Sequence, residues 1–151
     1  MTSSRLNLDH SVDAMDAWVD AVMQTLQTDN RKRAYQALAG TLPALRARLP
    51  DDKASSFGRK LPLLVRGLYF NDPDASDADV GDNELEQFFA TVRAPFSANL
   101  RIDTHAIASA VFRVLEEKLG EDEAAGVRAE LPDDVQRVWH STTDNSPHTL
   151  S

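Results

Sequence analysis

The chain has 151 residues, 42% of them hydrophobic, no cysteine and a formal net charge of −8, which suits one compact domain or two small halves around a shared core. The lack of cysteine excludes disulfides, thiolate metal sites and thiol nucleophiles, and no apolar run approaches the roughly 20 residues that a bilayer span requires. The acidic balance argues against nucleic acid and anionic lipid as partners, and the polar opening "MTSSRLNLDHSVD" lacks the apolar centre of a secretory signal, so a cytoplasmic protein is expected.

After a loose start over residues 1–8, "SVDAMDAWVDAVMQTL" places Val12, Met15, Val19, Val22 and Leu26 three and four positions apart, the stripe of an amphipathic helix. Ser11 or Asp9 is its expected cap. A second helix, capped by Asp29, lines up Tyr35, Leu38, Leu42, Leu45 and Leu49, and its Pro43 is expected to kink or break it near Gly40. Pro50 ends that helix, and a short third one, "DDKASSFGRK", opens with acids that suit its dipole. Leu61-Pro62 then turns a corner, because the residue before proline leaves the helical region and proline suits the start of a new helix. Leu61 points inward, and Val65 with Leu68 or Tyr69 forms the inner face of a fourth helix.

An acidic link, residues 71–83, leads to the same order of elements again. A shift of 70 aligns residues 14–70 with 84–140 without a gap. Nine positions are identical, Leu61-Pro62 and Leu131-Pro132 among them. Elsewhere apolar faces apolar: Trp18 with Phe88, Val19 with Phe89, Leu42 with Phe112, Tyr69 with Trp139. "DTHAIASAVFRVLEEKL", capped by Asp103 and without a proline, carries Ile107, Ala108, Val111, Phe112, Val114, Leu115 and Leu119 inward. Gly120 ends it, and "EDEAAGVRAE" and Leu131-Pro132 repeat the corner before Val135, Val138 and Trp139. Residues 141–151 read as a disordered tail. The expected fold is all-α: two tandem pseudo-symmetric repeats, residues 9–70 and 84–140, of three to four helices each, packed into one bundle.

"RAYQAL…ALRARLPDDKASSFGRKLPLLVRGLYF" together with "AVFRVLEEKLGEDEAAGVRAELPDDVQRVWH" resembles the prokaryotic domain-of-unknown-function family numbered 2267 (DUF2267), through the R-A-Y opening, the L-P-x-L-L-R-G-x-Y-[YF] phrase and the closing L-P…W. The resemblance spans about residues 12–140 and implies a small all-helical bacterial or archaeal protein with no assigned reaction. Pro43 departs from the family's pattern.

Residues that could carry chemistry are sparse. His10, His105, His140 and His148 lie at no metal-ligand spacing. The acidic link fails the calcium-loop pattern, with Asp77 where glycine belongs. The serines lack a glycine elbow, and Glu116-Glu117 and Asp133-Asp134 are adjacent pairs that diverge on a helix. No enzyme, cofactor or metal is therefore expected.

Residues 1–70 carry ten bases against seven acids and residues 71–151 six against seventeen, an asymmetry able to orient a protein partner or a second copy. The expected function is a non-catalytic interaction or scaffolding module, with Arg31 and its repeat mate Arg101 as contacts and Phe70 and Phe89 as the exposed apolar patch. The alternative is a small-ligand sensor or carrier whose apolar pocket between the halves is lined by Trp18, Phe88, Tyr69 and Trp139.

Overall fold

A computed structural model describes residues 2–71, 84–96 and 102–144. They form eight α-helices: α1 (Thr2–Leu26), α2 (Arg31–Ala47), α3 (Asp51–Gly58), α4 (Leu63–Tyr69), α5 (Glu84–Arg93), α6 (Thr104–Leu119), α7 (Glu121–Arg128) and α8 (Asp133–Asp144). A 3-10 turn, Ala94–Phe96, extends α5. There is no strand among the described residues. The acidic link beyond Asn71, Arg101 and residues 145–151 lie outside the described residues.

Four helices, α1, α2, α5 and α6, make the centre. α2 packs on α1, α5 and α6, and α6 also packs on α1. α4 closes against α1 and α2, and α8 against α5 and α6. The core runs through all eight, from Trp18, Val19 and Val22 to Val135, Val138 and Trp139, and every described residue of the expected α6 stripe is buried except the partly buried Leu119.

The Leu-Pro corners are built alike. Pro62 stands at the N-cap of α4, and its carbonyl accepts from the Arg66 amide; Pro132 does the same for Gln136. Five backbone bonds recur seventy positions apart: Ala54 to Pro50 and Ala124 to Gly120, Arg59 to Ser55 and Ala129 to Ala125, Lys60 to Phe57 and Glu130 to Val127, Leu61 to Gly58 and Leu131 to Arg128, and the two proline bonds. Leu61 and Leu131 are both buried.

Several expectations are corrected. α1 begins at Thr2, so Asp9 and Ser11 lie within the helix, and residues 2–8 continue it. The cap of α2 is Asn30, one residue after Asp29: its side-chain oxygen accepts from the Arg33 amide, as Asp103 does from Ala106. α2 runs unbroken through Pro43. The carbonyl that loses its helical donor there belongs to Ala39, which remains partly exposed, and the helix ends one turn later, so little is forfeited. Gly40 has a different role. A Cβ there would meet the Val92 carbonyl oxygen at 2.2 Å, so α2 and α5 touch backbone to backbone. Val12 and Tyr35, expected inward, are exposed, and α8 runs to Asp144, past the expected end of order at His140.

Candidate functional site

The four rings expected around a pocket are core residues. Trp18, Phe88, Tyr69 and Trp139 are 3%, 1%, 0% and 0% exposed. Trp139 lies flat on Phe112 at 4.4 Å, and Phe112 stacks on Phe88 at 6.0 Å. The indole N–H of Trp139 donates to Glu116, whose carboxylate also meets Arg128 at 3.6 Å. The Tyr69 hydroxyl donates to the Ala54 carbonyl at 2.8 Å, and burial pushes its pKa well above the ordinary tyrosine value, slightly opposed by Arg46. Tyr69 and Trp139 thus spend their polar atoms on the fold.

Arg31 is similarly engaged. Its guanidinium grips Asp20 and Asp16, one turn apart on α1, and fixes the start of α2 against that helix. Those two hydrogen bonds, Asp20 first, push its pKa further up. Its expected mate Arg101 lies outside the described residues. Phe89 is half-buried, between Phe88 at 5.7 Å and His105 at 6.3 Å. It contributes no exposed patch.

Among the described residues the large hydrophobic side chains left exposed are Val12, Tyr35, Leu63 and Phe70, and the last two share the outer face of α4. Leu63 is 58% and Phe70 43% exposed; seven positions apart, they share one side of the helix, about 10 Å from end to end. Sequence reasoning found Phe70 and missed Leu63, since "LPLL" contains three apolar residues and nothing to say which of them turns outward. Phe70 lies edge-on over Tyr69, with ring centres 4.9 Å apart. It fits because residue 58 is glycine: a Cβ there would stand 2.5 Å from the Phe70 ring.

Position 128, seventy residues on, holds arginine, and its guanidinium covers the Trp139 ring at 5.9 Å. The buried Trp139 is thus roofed by a charged group and the buried Tyr69 by an apolar ring. Likewise Leu63, Gly67 and Phe70 correspond to Asp133, Arg137 and His140.

Cations border this face. The Arg66 guanidinium donates to the carbonyls of Gly58, Arg59 and Leu61. Gln136, its counterpart, makes the bond to Leu131 without a charge. Residues 56–71 contain Arg59, Lys60 and Arg66 and no acid. Lys60 pairs with Glu123; Arg59 and Arg66 have no ion pair among the described residues.

Concavities lie elsewhere among the described residues. A polar groove of about 540 Å³ between the end of α1 and the start of α6 is lined by Thr25, Gln27, Asp103, His105, Ser109 and Arg113 among others. Gln27 is a non-glycine residue at φ 57, in the left-handed region, closing a cap in which its own amide bonds Gln24 and that of Thr28 bonds Met23. His105 Nδ1 and Ser109 Oγ are 3.4 Å apart. A smaller cleft of about 60 Å³ separates α3 from α7, between Lys53, Ser56, Lys60 and Glu123. Among the described residues no group of three or more acidic or histidine side chains could hold a metal ion, and no helix is long and apolar enough to cross a membrane.

Compared with known families, residues 15–138 match the model described as an uncharacterised conserved protein, DUF2267. No curated protein matches the chain.

Proposed function

The chain belongs to the DUF2267 family, and we propose that it is a non-catalytic protein-interaction module made of two copies of one helical unit, docking through the outer face of α4. One observation carries this reading. The corner and helix built around Pro132 accept Asp133, Arg137 and His140 where α4 presents Leu63, Gly67 and Phe70, so folding does not require apolar residues at those places. Exposed Leu and Phe side chains cost solubility and return little burial, and clustered on one helix face they mark a contact surface. The recurring backbone bonds at the two corners support treating the second copy as an internal control.

The test is affinity capture from a lysate of the native host, with the full chain and its Leu63→Glu/Phe70→Glu variant as parallel baits. A near-stoichiometric protein held by the first and lost by the second is expected. Identical captures with both baits refute the reading.

A second reading, binding of a small polar ligand, is favoured by the groove between α1 and α6, whose volume lies within the range of ligand sites. A metabolite-library thermal-shift screen whose hits vanish in Gln27→Gly and Arg113→Ala would establish it.

A further inference from the structure

We infer that the partner docking on α4 presents an acidic segment with two apolar side chains about two helical turns apart. The inference rests on the α4 docking reading and specifies the chemistry of what docks there. In a chain of net charge −8, residues 56–71 carry three bases and no carboxylate. The Arg66 charge is not needed for its bond to Leu61, because Gln136 makes the equivalent one to Leu131 while neutral. Arg66 is also held in place by three carbonyls, which fixes a cation beside Phe70 with little side-chain entropy left to lose on binding. Arg59 and Lys60 stand where the other corner has Ala129 and Glu130. Charge and apolarity have thus changed together at this corner. A face with apolar anchors seven residues apart inside a basic border complements an amphipathic segment rich in Asp and Glu.

Other occupants fit less well. A second copy docked face to face would oppose Arg59 and Arg66 of one copy, unpaired among the described residues, with those of the other. A second copy docked head to tail would place Leu63 and Phe70 on residues 84–144, which expose no large hydrophobic side chain among the described residues. An anionic bilayer would be repelled by the chain's net charge.

The experiment is selection from a random dodecamer peptide display library on the full-length chain, with counter-selection against Leu63→Glu/Phe70→Glu. Peptides combining several Asp or Glu with Leu, Phe, Ile or Trp three, four or seven positions apart are expected. The affinity of a synthetic winner, read by fluorescence anisotropy, should fall at least about 10-fold in the double variant. It should weaken about 3-fold in Arg66→Gln, and weaken again between 50 and 300 mM salt as about 10 Å of screening shortens. Because Phe70 roofs Tyr69, Leu63→Glu alone serves as the variant that leaves the fold undisturbed.

Neutral or basic winners that still need Leu63 and Phe70 overturn the acidic partner and leave the interaction module standing. Winners indifferent to both residues overturn the two together. Vesicles of phosphatidylglycerol that bind as tightly as the peptide, or a dimer in sedimentation velocity that Leu63→Glu abolishes, also overturn the acidic partner.

Discussion

Replacing Gly40 by alanine separates steric fit from helix propensity. The new Cβ would lie 2.2 Å from the Val92 carbonyl oxygen and 3.0 Å from Pro95 Cδ, more than 1 Å inside the roughly 3.5 Å at which heavy atoms attract. The nearest atom belongs to backbone, which cannot swing aside, so α2 and α5 must separate along the most extensive helix contact of the fold. Overpacking costs about 1–3 kcal/mol, and a backbone clash belongs at the upper end. Alanine within a helix returns about 1 kcal/mol relative to glycine. The expected net loss is about 2 kcal/mol, a fall in Tm of about 4–8 °C for a chain of this size. Gly67 provides the control: it is exposed in α4 with nothing within 4 Å of its would-be Cβ, so Gly67→Ala gains about 0.5–1 kcal/mol. Thermal and urea unfolding followed by far-UV circular dichroism should move the two variants in opposite directions. If Gly40→Ala melts at or above the parent, the close approach of α2 and α5 is wrong.

Thr41 is fully buried and its hydroxyl has no hydrogen-bond partner, whereas position 111 holds valine, nearly the same shape; Thr41→Val should raise stability by about 1 kcal/mol in urea titration, and a loss would mean that the hydroxyl is satisfied. The raised Tyr69 pKa makes stability pH-dependent: above about pH 10 the unfolded tyrosine ionises while the native one keeps its proton, so stability is whole below that pH and declines above it, by up to about 1.4 kcal/mol per unit. Tyr69→Phe should lose about 1 kcal/mol at pH 7 with the Ala54 bond and unfold with a visibly flatter pH slope between 9 and 11; equal slopes would contradict the burial of the phenol. Gln27→Gly should relieve a left-handed residue and stabilise the chain by about 0.5–1 kcal/mol, measured by thermal melting.

Where large apolar side chains mark the inner face, the sequence is readable. The stripes of α6, the inward Leu61 and Leu131 at the proline corners, and the Asp103 cap follow from periodicity and punctuation alone. The misses occur where small residues carry the packing. The inner edge of α2 is Ala34, Ala37, Leu38, Thr41, Leu42 and Leu45, and the alanines and threonine are silent to a search for bulk, so periodicity places Tyr35 on a face it only borders. Gly40 reads as a weak point in a helix; only the position of α5 reveals it as a contact. Val12 has the right period but lies toward the start of α1, and a period does not say how far along a helix its neighbours reach. The α4 face was half legible for the same reason. Phe70 follows an inward ring and so turns out, but Leu63 is one leucine among several until the corner is built.

The two Leu-Pro corners show how far two similarly bonded stretches can differ. At positions seventy apart, buried residues keep their character: Ala54 and Ala124, Phe57 and Val127, Leu61 and Leu131, Val65 and Val135. Around the joint between α3 and α7 positions seventy apart carry opposite charge, Lys53 on α3 and Lys60 just after it against Glu123 on α7 and Glu130 just after it. The Lys60–Glu123 pair is nearly half exposed on both sides, so it contributes at most about 1 kcal/mol and does little to hold the joint. Its effect is selective: α3 against α3, or α7 against α7, would set like charges together, while α3 against α7 pairs them. Core positions are thus constrained by packing, and solvent-facing ones are free to diverge until a contact constrains them. At the joint that contact lies within the chain and the divergence is toward complementary charge. On α4 the divergence is toward apolar side chains and uncompensated cations, which nothing described within the chain complements, and that imbalance is the argument for a partner outside it.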